Sequence, residues 1–136
     1  MDNVTQISPQ SLFLSIAHHL PDGRKCFPYD DKRLNAFFYE QKQKHPDLLG
    51  EIRFEWDASY PKSREIINAI RNMTATGLIN IQLPRFIDHY FNPDCEIIYN
   101  NRISRGSIPA DILSELEEIA AEFNEKIAID QKIKTT

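Results

Sequence analysis

A chain of 136 residues, 41% hydrophobic and 26% charged, suits one folded domain and is neither disordered nor membrane-like in composition. No apolar run approaches the ~20 residues that a bilayer-spanning helix needs. Net charge is −4 but unevenly spread: residues 61–110 hold 6 Lys/Arg against 4 Asp/Glu, and residues 111–136 hold 3 against 7.

The first helix opens at Ser8-Pro9, a cap followed by a proline suited to the first helical position. Leu12 or Phe13, Ile16 and Leu20 recur at helical spacing until Pro21-Asp22-Gly23 turns the chain. A second helix starts at Asp30 or Asp31, carries Leu34, Phe37, Phe38 and Gln41 on one side, and stops at His45-Pro46. The stretch EIRFEWDAS alternates, placing Ile52, Phe54 and Trp56 on one face. It predicts a half-buried strand, or an extended connection that pins Trp56 into the core.

A third helix spans Pro61 to Gly77, capped by Ser59 or Ser63, with Ile66, Ile67, Ile70 and Met73 as its apolar face and Gly77 as its left-handed terminus. Leu78 to Leu83 alternates as a strand, Leu83-Pro84-Arg85 is a turn, and Phe86 to Phe91 returns. After the break at Asn92-Pro93-Asp94, CEIIYNN is expected as a third strand or an extended link, and Arg102 to Gly106 as a loop. The last helix runs from Ser107-Ile108-Pro109 to about Ala128, with a stripe of Ile112, Leu116, Ile119, Phe123 and Ile127 and acids around it. Residues 129–136 are expected as a frayed tail.

Motifs for catalysis and metal binding are missing. His18, His19, His45 and His89 lack zinc-ligand spacing, the four glycines form no phosphate loop, and no Gly-x-Ser-x-Gly elbow occurs. Cys26 follows Arg24-Lys25, so a thiol–imidazole pair with His18 or His19 is conceivable, although small buried thiols are the ordinary reading. The segment MDNVTQISPQ lacks a secretory signal's basic and apolar regions, so Cys26 and Cys95 are expected as thiols in the cytoplasm. The expectation is a protein with no cofactor, no metal and no catalysis.

The order helix, helix, strand, helix, hairpin over residues 8–92 resembles a winged-helix domain, most clearly from Pro61 to Phe91. There PKSREIINAIRNMTATGLI looks like the last helix of such a domain running into its first wing strand. The pattern is also similar to short proteins of bacterial mobile elements and phage-defence neighbourhoods, in which a YP-x-S entry precedes an apolar helix ending in GLI. The expected fold is thus a single α+β domain: a winged-helix-like unit of helices and a small antiparallel hairpin or three-stranded sheet, with an added C-terminal amphipathic helix at 107–128.

The resemblance implies that Lys62, Arg64, Asn68, Arg71, Asn72 and Thr74 face the major groove, where Arg and Asn can read guanine and adenine edges. Arg85 would meet a phosphate or the minor groove from the wing tip, and Arg102 and Arg105 would add backbone contacts. A winged-helix shape also serves as a docking platform. Phe86, Tyr90 and Phe91 are aromatics of the kind found at interface hot spots, and the C-terminal helix could pack on a partner or a second copy. With the negative net charge counted, the favoured reading is a small regulatory or accessory protein acting through protein–protein interaction. The alternative is a DNA-binding transcriptional regulator that reads DNA with the Pro61–Gly77 helix. The two differ in what they require: cations converging on one exposed face, or a large exposed apolar patch.

Overall fold

The computed structural model describes residues 6–57, 59–81 and 88–130. Ser8 caps the first helix, α1 (Pro9–His19), accepting the Ser11 amide at 3.2 Å. Seven consecutive residues of α1, Ser11 to Ala17, are buried. A helix buried all round belongs at the centre of a core, and α3, α4 and α5 all pack against this one.

The turn at Gly23 (φ 86°) leads into β1 (Cys26–Pro28), a strand too short to leave a period in the sequence. Asp30 accepts the Arg33 amide at 3.1 Å and starts α2 (Asp31–Lys44). A two-stranded hairpin follows, β2 (Glu55–Asp57) and β3 (Tyr60–Lys62), paired antiparallel with Trp56 opposite Pro61. Then come α3 (Arg64–Ala75), β4 (Ile79–Ile81), β5 (Asp88–Phe91), α4 (Asp94–Ser104), a 3-10 turn (Ala110–Ile112) and α5 (Leu113–Lys126). The main sheet is antiparallel in the order β1-β5-β4, with Cys26 opposite Tyr90 and Ile79 opposite Phe91. The architecture is mixed α+β: five α-helices, this sheet and the separate hairpin among the described residues.

Aromatic edges join the layers. Phe123 of α5 meets Phe27 of β1 at 5.6 Å and Phe37 of α2 at 5.5 Å between ring centroids, and Phe13 of α1 meets Phe38 at 5.2 Å. The stripe Ile112, Leu116, Ile119, Phe123 and Ile127 is buried throughout, so the apolar face of the C-terminal helix belongs to this core and is not offered to a second copy. Cations close the end of α5. Arg24 donates to the carbonyls of Asn124 and Ala128 at 2.8 and 2.9 Å, and Arg33 to that of Lys126 at 2.6 Å, as suits the negative end of a helix.

Four expectations about the elements need correction. CEIIYNN is the body of α4, not a strand or link. Cys95 and Tyr99, one helical turn apart, are both buried, and packing against α1 outweighs the strand preference of Ile-Ile-Tyr. Arg102 to Ser104 continue that helix. Next, Trp56 is 67% exposed; Ile52 takes the core position and Phe54 packs beneath. Finally, α3 starts at Arg64. Pro61 lies in β3, and Ser63 adopts extended backbone and caps the helix through the Ile66 amide at 3.3 Å. Asp57's side chain, the Leu83-Pro84-Arg85 turn with Phe86, and the tail from 131 onward lie outside the described residues. Among the described residues, no helix is long and apolar enough to cross a membrane.

Two polar ties hold α2 in place, and each yields a test. Asn35 is 1% exposed; its Nδ2 donates to the Asp31 carbonyl at 2.7 Å and its Oδ1 accepts the buried Ser63 amide at 2.8 Å. Asn35→Leu strands that amide and should cost about 1–3 kcal/mol, read as a lower urea midpoint; an unchanged midpoint would show the bond to be dispensable. On the other side of α2, Lys44 donates to Glu122 at 2.6 Å and Gln41 at 2.9 Å. Hydrogen bonding from Lys44, against the effect of burial and with help from Gln41, pulls the Glu122 carboxyl from its ordinary 4.5 down to about 2. A carboxyl depressed in the folded state stabilises the fold above its unfolded value. That contribution should fade as pH falls from about 4.5 to about 2. Thermal melts should therefore show Glu122→Gln less stable at neutral pH, yet losing less than the wild type across that acid window. Equal acid sensitivity in both proteins would contradict the assignment.

Candidate functional site

The β2–β3 hairpin stands beside the N-terminal half of α3 because Asp31 holds it there. The Asp31 carboxylate accepts the hydroxyls of Tyr60 at 2.7 Å and Tyr29 at 3.3 Å and pairs with Lys62 at 3.4 Å. Burial pushes its pKa up, but the bonds from Tyr60 and Lys62 outweigh that and hold the carboxyl below its ordinary value. The same bond raises the Tyr60 hydroxyl and, together with Tyr60, the Lys62 ammonium, which also lies 5.5 Å from the Tyr60 ring centroid. Lys62 is thus a tethered cation.

On α3, Ile66, Ala69, Ile70 and Met73 are buried. Helical spacing then leaves Arg64, Asn68, Arg71 and Asn72 as one exposed stripe. Hairpin and helix enclose a cleft of about 630 Å³ lined by Arg53, Glu55, Trp56, Lys62, Arg64, Glu65, Asn68 and Arg71, with Ile67 in its wall. Four cations thus face two carboxylates. Glu65 does not oppose the helix cations, because its Oε1 accepts the Arg53 amide at 2.7 Å and pairs with Arg53 Nε at 3.5 Å. Arg64 and Arg71 are exposed and make no hydrogen bond or ion pair with any other described residue. These two hold the charge available to a ligand.

The remaining expected contacts fall elsewhere. Asn72 lies one turn beyond the cleft, and Thr74 is turned back onto the Ile70 carbonyl at 2.7 Å. Arg102 joins α4 to α1 through Ser11 Oγ at 2.5 Å and Gln10 at 3.1 Å. With exposed Arg105 it lines a second cleft of about 710 Å³, which shares no residue with the first. Arg85 and Phe86 lie outside the described residues. Tyr90 is half-buried. Phe91, expected at a partner interface, is instead a core residue, 5% exposed and 5.3 Å from Phe27 between centroids.

Two residues of the cleft, Arg53 and Trp56, carry no site signal in the sequence beyond a strand-like alternation. Trp56 meets one described ring, Tyr39, edge-on at 6.1 Å and 81°, and Tyr39 in turn meets Phe54 at 5.4 Å. The cysteines lie apart from this surface. Burial pushes both thiols up to about 11. Cys26 lies opposite Tyr90 in the sheet, His18 faces Glu96 at 3.3 Å and His19 Nδ1 lies 2.9 Å from the Ser15 carbonyl, so no thiol–imidazole pair forms among the described residues. Among the described residues, no three His, Cys, Asp or Glu side chains gather where they could hold a metal ion.

Compared with protein-family models, with curated protein sequences and with solved structures, the chain gives no match.

Trp56 is the only tryptophan, which makes its environment directly measurable. Its emission should be that of a hydrated indole, freely quenched by acrylamide and by iodide. A blue-shifted emission shielded from both quenchers would place Trp56 under other groups and close the cleft as drawn.

Proposed function

We propose that the protein is a small non-catalytic regulatory or accessory protein that binds DNA through the outer face of α3 and the neighbouring hairpin. The observation that carries this reading is the convergence of Arg53, Lys62, Arg64 and Arg71 on one cleft, with Arg64 and Arg71 uncommitted. Arginine suits this role, since its planar guanidinium matches phosphate and guanine edges. The winged-helix reading is supported by α3 running directly into the antiparallel β4–β5 pair, with α1 and α2 preceding it. On that reading α3 is the groove-facing helix, and β2–β3 is an insertion before it.

Protein docking, favoured on charge alone, has less support from the surface. The exposed large hydrophobics of the described residues are Trp56, Ile81 and Ile97, on three different elements. The net charge of −4 weakens long-range attraction to a polyanion without preventing local contact.

The test is fluorescence anisotropy of a labelled random-sequence duplex titrated with protein at several salt concentrations. Binding in the roughly 10⁻⁴ to 10⁻⁶ M range of non-specific complexes should weaken steeply with salt. Arg64→Glu/Arg71→Glu should lower affinity at least about tenfold and reduce the salt slope by roughly 1 per lost phosphate contact. Arg105→Glu makes the same kind of charge change in the other cleft and should bind as the wild type does. Absence of binding even at low salt would sink the DNA reading, and equal losses in Arg105→Glu would reduce it to a net-charge effect.

A further inference from the structure

A tryptophan two-thirds exposed calls for a reason, because its large apolar surface ordinarily lies mostly inside. Here the indole stands at the rim of the cationic cleft, 67% exposed, and its one described ring neighbour meets it at 81°. With one perpendicular ring neighbour and two-thirds of its surface exposed, the indole has flat area open to solvent. Pro61, opposite Trp56 in the register, is buried and Tyr39 meets the indole, yet two-thirds of the indole stays exposed.

The uncommitted charge lies on the α3 side of the cleft. Arg64 and Arg71 pair with no other described residue, whereas on the hairpin side Lys62 is held by Asp31, Arg53 by Glu65, and Glu55 is exposed beside Trp56. A phosphate is therefore drawn chiefly to the α3 arginines. What the hairpin adds is an apolar, polarisable face. A strand lying along the cleft would therefore turn its backbone to the helix and its base to the indole. In a duplex the base faces are covered by their neighbours. Only an unpaired base has a free face for an aromatic side chain, which is how single strands are generally gripped. The cleft, about 630 Å³, is of small-ligand size and suits a few nucleotides of one strand.

Resting on the nucleic-acid reading above, we propose that this cleft binds single-stranded nucleic acid, stacking an unpaired base on Trp56 while Arg64 and Arg71 hold the backbone phosphates. Binding therefore favours a single strand over the corresponding duplex.

The experiment compares a labelled mixed-sequence single strand of roughly 16 nucleotides, the upper end of common site sizes, with its blunt duplex at low salt. The full chain should bind the single strand several-fold more tightly, and that complex should quench the emission of the sole tryptophan. Trp56→Ala should weaken single-strand binding roughly tenfold, in line with the loss of one stacked base, and weaken duplex binding much less, so that the preference for the single strand is lost. Trp56→Phe should recover part of the loss. Arg64→Glu/Arg71→Glu should weaken both probes. If Trp56→Ala binds the single strand as the wild type does, or the wild type prefers duplex without quenching, the stacking site is overturned and the α3 reading stands. If the wild type binds neither probe, the nucleic-acid reading itself falls.

Discussion

Where the chain leaves β3 and enters α3, Ser63 carries a backbone N–H that belongs to neither ladder and is sealed from solvent. Left alone, a buried donor of this kind is expensive. Asn35 Oδ1 receives it at 2.8 Å, and Asn35 is itself fixed by the Asp31 carbonyl one turn back on α2. The same turn of α2 presents the Asp31 carboxylate to Tyr60 and Lys62. A single helical turn thus determines where the hairpin ends, where α3 begins and which way its outer face points. Isolated two-stranded hairpins are marginal in water, so this attachment, rather than strand pairing, is what makes β2–β3 a wall.

The acids of the site serve that geometry. Asp31 tethers Lys62 and Glu65 tethers Arg53, each lowering the free charge of the cleft while fixing one of its cations. The helix cations, Arg64 and Arg71, are left unpaired among the described residues. Acids elsewhere are concentrated in α5, where Glu117, Glu118 and Glu125 are exposed and Glu122 is tied to α2. Net charge and local charge therefore have opposite signs at the cleft. A molecule built this way is repelled by a polyanion from most directions and attracted from one, which favours orientation over speed of encounter.

The starts of α1 and α2 and the end of α3 were legible because their chemistry is local: Ser8 before Pro9, Asp30 before an aromatic face, and Gly77 (φ 81°) after α3. The core stripe of α5, and Ile66, Ile70 and Met73 of α3, were legible because their apolar spacing recurs at one helical period, whereas Ile67, expected in that stripe, is half-buried in the cleft wall and Ala69 is the fourth buried residue. What the sequence hid depends on partners far along the chain. β1 is three residues long and is a strand only because β5 pairs with it. In α4, Ile97 is 61% exposed while Cys95 and Tyr99 are buried, so the most strand-like residues of CEIIYNN are not the ones that decide its fold. The cleft was half legible. Arg64, Asn68 and Arg71 follow from helix geometry, whereas Arg53, Trp56 and Lys62 enter through a hairpin whose position is set by Asp31 and Asn35.

Trp56 shows why alternation alone misleads. In EIRFEW, the period-2 pattern assigns Ile52, Phe54 and Trp56 to one face, and a single continuous strand would bury all three. The chain instead pairs only from Glu55 onward, against a partner strand whose buried member is Pro61. Ile52 is already sealed, and Tyr39 fills the space over Phe54, so the inner layer is complete before the chain reaches residue 56. The indole is left at the rim of the cleft that Arg64 and Arg71 also line. A polar residue would satisfy that position at lower solvation cost. The chain's one tryptophan, exposed beside two exposed arginines, is what the proposed stacking of an unpaired base would use.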